Sequence, residues 1–171
     1  MEFFLKNIAE DEWNAEQDRG RSLAEGTEIL VGKHSEWEKE IRAYYDNWTT
    51  MLRSDIPENV AVLRKLQNTN YELFGLTNWS YETFPYALEN YDFFEIFKGK
   101  IVVSGTEKLI KPDPKIWEVL LERYHLKAEE SVFIDDNPKN IEVAKMLGFI
   151  TVHITEGTNL AEELRSLGIR F

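Results

Sequence analysis

Cysteine is absent from the 171-residue sequence, and its absence excludes disulfide bonds, thiolate metal sites and cysteine nucleophiles. Long apolar runs are also missing, since no stretch approaches the ~20 residues that a membrane-spanning helix needs. The N-terminal residues pass from apolar to acidic by Glu10 and do not resemble a signal peptide. These features predict a cytoplasmic protein without a membrane segment.

Basic residues are scarce relative to acidic ones. The chain holds 20 Lys and Arg against 31 Asp and Glu, which gives a formal net charge of −11. Such a charge repels nucleic-acid phosphates and anionic membranes unless a local basic patch compensates for it. The lysines Lys108, Lys111 and Lys115 are spread among acidic residues and prolines and form no such patch. We therefore expect small molecules or proteins as partners, and neither nucleic acid nor a membrane.

Residues 1–54 show helical patterns only. Ser22 with Glu25 and Ser35 with Glu38 have the spacing of capping boxes, which predicts that a helix begins near each serine. Gly32 is expected to end the first of these helices. The second helix carries apolar residues at a period of 3.6, namely Trp37, Ile41, Tyr44, Tyr45, Trp48 and Leu52. This stripe favours a packed helical core, with an aromatic-lined ligand surface as the alternative.

After Pro57 the pattern changes to strands that alternate with helices. Strands are predicted over residues 71–76, 100–104, 131–134 and 149–154. Pro138 is well placed as the first residue of a helix that Gly148 ends. Alternation of this kind indicates an α/β fold with a doubly wound parallel sheet. We therefore divide the chain into a helical part, residues 1–55, and an α/β core, residues 56–171.

Polar residues follow three of the predicted strands, and ligands of such sheets bind at the carboxyl ends of the strands. Thr77 and Asn78 follow the first strand, Lys111 lies in the loop after the second, and Asp135 and Asp136 follow the third. A hydroxyl, an amide and a lysine can hold phosphate oxygens, and adjacent carboxylates suit Mg²⁺. Each feature alone is also typical of a helix cap, a loop or a turn. Their order on three successive strand ends favours a common site.

Three segments resemble the second, third and fourth motifs of the haloacid dehalogenase-type hydrolase superfamily. They are Leu-Thr-Asn at 76–78, Ser-Gly at 104–105 with Ile-Lys-Pro-Asp-Pro at 110–114, and Val-Phe-Ile-Asp-Asp-Asn-Pro-Lys-Asn at 132–140. The resemblance extends from about Pro57 to Gly157 and is strongest for small sugar-phosphate phosphatases with a helical cap. It implies a Rossmann-like core, with residues 1–55 as part of the cap.

The resemblance also implies roles for single residues. Thr77, with Asn78, would hydrogen-bond the phosphoryl group. Lys111 would bind the phosphate and the carboxylate of the nucleophile. Asp136 would ligate Mg²⁺, and Asp135 would support the metal site through a water or a hydrogen bond to Lys111. Lys111 and Asp135 are thus the candidate catalytic residues among the positions that match the motifs.

A charged run at residues 16–21 resembles a cap loop that faces the substrate in relatives. It makes Arg19 and Gly20 candidate specificity residues. A charged turn that contains glycine is more commonly a solvated surface, so this assignment depends on the resemblance alone.

The first motif of the family, an apolar strand that ends in Asp-x-Asp, is missing from the sequence. The first aspartate of that motif is the nucleophile that forms an aspartyl-phosphate. We expect that about 20–35 residues are absent, enough for a strand, a loop and a helix. A misplaced start, a shortened chain or a natural pseudoenzyme would explain the absence.

In the family the missing strand lies between the strands that end at Thr77 and Asp135. Its absence would expose two strand edges, and buried unpaired backbone groups cost ~1–3 kcal/mol each. We expect that the flanking strands close on each other, that another chain fills the slot, or that the parent protein supplies the strand. Homo-oligomerisation would fit the first two arrangements.

The sequence therefore predicts a Mg²⁺-dependent phosphatase of a small phosphorylated metabolite as the activity of the parent protein, with the given chain inactive. One alternative is a 2-haloacid dehalogenase, which uses no metal; repulsion between Asp135 and Asp136 argues against it. The other is a binding or regulatory module that has lost its nucleophile and kept the fold.

Overall fold

A computed structural model describes residues 2–52 and 54–171 of the chain. Its helices are α1 (Glu2–Asn7), α2 (Asp11–Asp18), α3 (Leu23–Lys33), α4 (Glu38–Asp46), α5 (Pro57–Leu66), α6 (Phe84–Asn90), α7 (Ser104–Glu107), α8 (Lys115–Tyr124), α9 (Pro138–Met146) and α10 (Leu160–Ser166). Its strands are β1 (Gly75–Thr77), β2 (Ile101–Val103), β3 (Val132–Asp135) and β4 (Ile150–His153). None of the described helices combines the length and the apolar character that crossing a membrane requires.

The strands form two separate parallel pairs. β1 pairs with β2, with Leu76 opposite Val102, and β3 pairs with β4, with Ile134 opposite Val152. No ladder joins the two pairs within residues 2–52 and 54–171. The α/β class with parallel strands is confirmed, but the strands do not form one continuous sheet. Closure of β1 onto β3, one of the arrangements expected from the sequence, is not the one adopted.

Helices cover both faces of the β3–β4 pair. Side chains alternate between the two faces of a strand, so Phe133 and Ile134 point to opposite sides. Phe133 packs into a cluster with α8 and α9, where its ring centroid lies 5.4 Å from that of the buried Trp117. Ile134 packs with α5 and α10 around the buried Val152 and Leu164. This order of layers is that of a doubly wound α/β fold.

The helices α1 to α4 pack around a cluster of their own. Its buried members are Phe4, Ile8, Ala9, Trp13, Leu30 and Ile41. Ser22 begins α3 as predicted, because its hydroxyl accepts a hydrogen bond of 3.1 Å from the backbone N–H of Glu25. The prediction that Gly32 ends this helix is wrong. A helix interior tolerates one glycine, and the chain leaves the helix only at His34, where φ is −136° and ψ is 59°.

The long helix predicted from Ser35 is divided into three pieces. A 3₁₀ turn at Ser35–Trp37 precedes α4, and a second at Trp48–Met51 follows it. Ser35 makes no capping contact, since Trp37 precedes α4 and offers no side-chain cap. α4 ends at Asn47, whose side-chain amide donates to the carbonyl of Ala43 at 3.0 Å and competes with continuation of the helix.

The strands are shorter than the sequence pattern suggests. β1 begins at Gly75, because its ladder is limited by the three residues of its partner β2. β2 ends at Val103, and Ser104 already belongs to α7. The helix that begins at Pro138 is confirmed, and Gly148 takes the left-handed conformation (φ 93°) after its end.

Candidate active site

A buried ion pair lies between two strand ends. The Lys111 ammonium lies 2.7 Å from Asp135 Oδ2, and the two side chains are only 10% and 7% exposed. The same ammonium donates to the backbone carbonyl of Leu76 at 2.8 Å and lies 5.6 Å from the centroid of the Phe133 ring. Leu76 belongs to β1 and Asp135 ends β3. One lysine thus connects the two strand pairs that share no ladder.

Asn78 fixes the position of the Lys111 loop. Its side-chain amide donates to the carbonyl of Lys111 at 3.0 Å and accepts from the N–H of Lys111 at 2.9 Å. The peptide bond between Lys111 and Pro112 is cis. These two bonds leave one N–H of the side-chain amide and the backbone N–H as donors, so the contact of Asn78 with a phosphoryl group stays a prediction.

Both carboxylate oxygens of Asp135 accept hydrogen bonds. Oδ2 pairs with Lys111, while Oδ1 accepts from the backbone N–H of Asn137 at 2.8 Å and from the amide of Asn140 at 3.0 Å. These contacts place Asp135 as a positioning residue for the lysine. The resemblance implies the hydrogen bond to Lys111 as one possibility, and the support of a metal site by Asp135 stays a prediction.

Asp136 is the free carboxylate of the pair. Its side chain is exposed. Its backbone carbonyl oxygen lies 3.0 Å from His153 Nε2. The carboxylate has no hydrogen-bond or ion-pair partner among the described residues. Nearby, the Oδ1 atom of Asn140 is buried and also lacks a partner in the described ranges.

These oxygens fit part of a Mg²⁺ ligand set. The described residues contain no group of three or more His, Cys, Asp or Glu side chains that could enclose a metal. Mg²⁺ does not need such a group, since it is commonly held by one or two carboxylates together with water and substrate phosphates. The donor chemistry at Asp136 therefore suits a hard cation that shares its coordination shell with a ligand.

Thr77 completes the set of polar groups at this edge. It ends β1 next to Leu76, and its side chain is half-buried. Its hydroxyl has no partner in the part of the chain that the structure describes. The Lys111 ammonium contacts the carbonyl of the preceding residue, Leu76, and a hydroxyl such as that of Thr77 can donate to an anion.

The turn between α2 and α3 docks onto the segment after β1. The fully buried Ser104 accepts from the N–H of Trp79 at 2.8 Å, and its hydroxyl lies 2.5 Å from the carbonyl of Asp18, to which it donates. Gly20 has a φ of 103°, and a Cβ there would lie 2.7 Å from the carbonyl oxygen of Gly105. The helical part is therefore held against the core at this point by backbone contacts.

The two predicted cap residues lie beside this docking point. Arg19 is exposed and pairs with Glu16 at 3.4 Å. Gly20 packs on Gly105, where its lack of a side chain is what allows the close approach. Neither residue lines the cavity that lies between the helical part and the loop after β1, and their role in specificity stays a prediction.

A cavity of about 250 Å³ lies between the helical part and the loop after β1. It is lined by Asn14, Asp18, Tyr44, Tyr45, Trp48, Met51, Leu52, Asn78, Trp79, Ser80 and Thr83. The residues of the predicted apolar stripe thus lie in two different environments. Ile41 is buried in the core, while Tyr44, Tyr45, Trp48 and Leu52 form a cavity wall. Because Asn78 also holds the Lys111 loop, the cavity adjoins the ion pair.

Asp18 is the cavity residue that sequence analysis missed. It accepts a hydrogen bond from the backbone N–H of Ser80, but burial dominates and raises the pKa of its carboxyl to about 6. The one available signal was its place next to Arg19 in the charged run at 16–21. That run did mark a loop near a cavity, although the residues singled out there were its neighbours.

The sequence model of the haloacid dehalogenase-like hydrolases matches residues 6–154, which is most of the chain. The chain belongs to the haloacid dehalogenase-like hydrolases. The family assignment made from the three motifs is therefore confirmed. The match also covers most of the helical part, where the resemblance was limited to the charged run at residues 16–21.

Two curated relatives of this hydrolase are phosphatases. It is 30% identical over 128 residues to the sesquiterpene phosphatase astK of Aspergillus oryzae, which covers 75% of this chain and 64% of that protein. It is 24% identical over 158 residues to the phosphoglycolate phosphatase of Vibrio cholerae, and the match covers 83% of this chain and 70% of that protein. The hydrolase thus spans less than two thirds of the length of the first of these relatives.

A solved structure has a similar fold. A haloacid dehalogenase family enzyme from Bacteroides thetaiotaomicron, in a magnesium complex, gives a TM-score of 0.77 at 22% identity, covering 95% of this chain and 84% of that one. The same enzyme has been solved with magnesium and inorganic phosphate, with a TM-score of 0.73 at 24% identity, covering 91% and 80%. At these identities the likeness concerns the fold.

Proposed function

We propose that this hydrolase is a magnesium-dependent phosphatase of a small phosphorylated metabolite. The observation that carries the proposal is the position of the Lys111 ammonium. It contacts Leu76, which precedes Thr77, and Asp135, which precedes Asp136. A cation, a hydroxyl and a carboxylate therefore lie at adjoining strand ends, where ligands of parallel sheets bind.

Lys111 and Thr77 supply donors for a phosphate. A lysine ammonium has three N–H donors, and Leu76 and Asp135 engage two of them. These two hydrogen bonds fix the orientation of the ammonium, so the direction of its third N–H is set before a ligand binds. The Thr77 hydroxyl adds a second donor. Positioning and charge neutralisation of this kind are the main requirements of phosphoryl transfer.

Asp136 is the residue that would hold Mg²⁺, with the buried Oδ1 atom of Asn140 close to the same loop. When bound, Mg²⁺ supplies Lewis-acid neutralisation of the negative charge on phosphate oxygens. Asp135 fixes the conformation of the loop that carries Asp136, because its carboxylate accepts hydrogen bonds from Asn137 and Asn140. The named activities of the relatives and the magnesium and phosphate complexes of the Bacteroides enzyme support this assignment.

The covalent step is assigned to a group outside the 171 residues. The sequence contains no Asp-x-Asp, and Asp135 is committed to Lys111. We therefore propose that these residues bind phosphate and metal, and that an aspartate on an added strand between β1 and β3 acts as nucleophile. Two observations support this placement: no ladder joins the two strand pairs among the described residues, and Lys111 contacts both β1 and β3.

Binding of Mg²⁺ and inorganic phosphate tests the part of the proposal that this chain can perform. Calorimetric titration of the 171-residue chain should show phosphate binding that Mg²⁺ strengthens. Asp136→Asn should abolish the effect of Mg²⁺. Asp55→Asn, which removes one exposed carboxylate elsewhere, should preserve it. Equal behaviour of the two variants would contradict the metal assignment.

Restoration of a strand tests the reaction. A chain extended at its N-terminus by an apolar strand that ends in Asp-x-Asp should hydrolyse p-nitrophenyl phosphate, and EDTA should abolish the activity. Release of chloride from a 2-chloro acid that is insensitive to EDTA would identify a dehalogenase instead. That outcome is not excluded by repulsion between the two aspartates, because Lys111 neutralises Asp135. Ligand binding without either reaction would favour a binding module.

A further inference from the structure

The cavity beside the phosphate site combines aromatic walls with a single acid. Tyr44, Tyr45, Trp48 and Trp79 are the aromatic residues that line it. Its volume of about 250 Å³ can hold an organic group of several heavy atoms. Asn78 lines the cavity and also holds the backbone of Lys111, so a phosphate bound by the lysine would carry its organic part into this space.

Asp18 is the only charged residue that lines this cavity in the described part of the chain. It forms no ion pair there. The two nearest arginines in sequence are engaged elsewhere. Arg19 pairs with Glu16, and Arg21 donates to the side chain of Gln17 at 2.6 Å and to the carbonyl of Trp13 at 2.9 Å. The carboxylate therefore faces the cavity without a compensating cation.

The position of Asp18 is fixed by contacts on both its backbone and its side chain. Its carbonyl accepts from the buried Ser104 hydroxyl, and its carboxylate accepts from the N–H of Ser80. Ser80 lies three residues after Thr77 on the same loop. The backbone of Asp18 is thus anchored to the core by the buried Ser104, 2.5 Å away, and its carboxylate lies beside the loop that follows Thr77.

We propose that Asp18 determines substrate specificity by excluding phosphomonoesters whose organic part is negatively charged and by accepting a hydroxyl or ammonium donor from the organic part. The inference rests on the proposed phosphatase function. A like charge brought into a cavity with aromatic walls is repelled more strongly than in water, because few solvent dipoles screen it. A hydroxyl or ammonium group instead gives the partly buried carboxylate the partner that it lacks.

Three small phosphomonoesters of matched length test the effect of the charge of the organic part independently of its size. They are phosphoglycolate, 2-hydroxyethyl phosphate and O-phosphoethanolamine, whose organic parts end in a carboxylate, a hydroxyl and an ammonium. Binding to the 171-residue chain in the presence of Mg²⁺ is followed by the fluorescence of Trp48 and Trp79, which line the cavity. We expect phosphoglycolate to bind at least about tenfold more weakly than 2-hydroxyethyl phosphate.

Asp18→Asn tests whether the carboxylate is the cause. The amide oxygen can still accept from Ser80, so the fold is retained while the charge is lost. The discrimination against phosphoglycolate should fall below about threefold. The affinity for inorganic phosphate should remain unchanged. Glu12→Gln, which removes an exposed charge from the same helix α2, should keep the full discrimination.

The outcomes distinguish this proposal from the proposed function. Equal affinity for the three esters in the wild-type chain, or discrimination that persists in Asp18→Asn, would overturn the role of Asp18 while phosphate binding stands. Binding of inorganic phosphate without binding of any ester would overturn it too, because the cavity would then not receive the organic part. Failure to bind inorganic phosphate at all would overturn the proposed function, and this inference with it.

Discussion

The Lys111 ammonium lies 2.7 Å from the Asp135 carboxylate, in the most buried ion pair of the described residues. The pair connects the loop after β2 with the end of β3, while the same ammonium reaches the carbonyl of Leu76 in β1. It therefore holds together two strand pairs that no ladder joins. The group proposed to bind phosphate is also a structural connection, so its removal has consequences for stability as well as for binding.

Lys111→Met should destabilise the fold by about 3–5 kcal/mol, because it leaves the Asp135 carboxylate buried without its partner. Urea unfolding at neutral pH measures the change. The double variant Lys111→Met with Asp135→Asn should recover part of the loss, since it removes the uncompensated charge as well. Lys127→Met, which breaks the exposed pair with Glu130, is the control and should change stability by less than about 1 kcal/mol. Equal effects of the two single variants would contradict the structural role of the buried pair.

Asn78→Ala should loosen the Lys111 loop without changing any charge. The substitution leaves the N–H and the carbonyl of Lys111 without their side-chain partner, which costs about 1–3 kcal/mol for each group that stays buried. Affinity for inorganic phosphate should fall together with stability, as measured by titration and by thermal unfolding. Asn68→Ala removes one exposed hydrogen bond to Arg64 and should leave phosphate binding intact. Unchanged phosphate affinity in Asn78→Ala would contradict the claim that the conformation of the Lys111 loop matters for phosphate binding.

Gly105→Ala should destabilise the contact between α7 and the loop after β1. A Cβ at this position would lie 2.5 Å from the backbone N of Tyr81 and 2.8 Å from the carbonyl oxygen of Trp79. Neither backbone atom can move freely, so the expected cost is about 1–3 kcal/mol. Gly32→Ala is the control, because nothing lies within 4 Å of a Cβ there. It should stabilise α3 by about 0.5–1 kcal/mol. Thermal unfolding should therefore shift in opposite directions for the two alanines.

Asp18→Asn should be more stable than the wild-type chain at neutral pH. Burial raises the pKa of Asp18 from 3.8 to about 6 in the folded state, so the ionised form is the one that folding disfavours. As the pH falls through 6, the folded wild type takes up this proton before the unfolded chain does, and its stability rises relative to the variant until the pH is below 3.8. The difference between the two unfolding free energies should be largest above pH 6 and should shrink toward pH 4. A difference that does not vary with pH would contradict the assignment.

The motif residues show how far sequence reasoning reached at the site. Lys111 and Asp135 were assigned to one phosphate and metal site, and the structure brings them into contact. Asn78 was expected to hold the phosphoryl group, which stays a prediction; the structure adds that its amide holds the backbone of Lys111. The residue types of a motif indicate which loops meet. The atoms that each amide engages depend on the path of the facing loop, which no local pattern contains.

The apolar stripe of the helical part shows a second limit. The period predicts correctly that Ile41 faces inward. It does not distinguish a core from a cavity wall, because Tyr44 and Trp48 have the same spacing and line the space beside Asp18. Whether a residue of the stripe is buried or lines the cavity depends on the spacing between the helical part and the α/β core at that residue.

The sequence by itself determined the α/β class, the family and the strand ends that carry polar chemistry, because alternation, caps and motif spacing are local properties of the chain. Only the tertiary structure decided three features of the described residues: β1 and β3 share no ladder, one ammonium connects them, and Asp18 faces a cavity that no cationic side chain lines. Pairing between distant strands and the desolvation of a carboxylate depend on what surrounds a residue in space, and residues distant in sequence supply those surroundings.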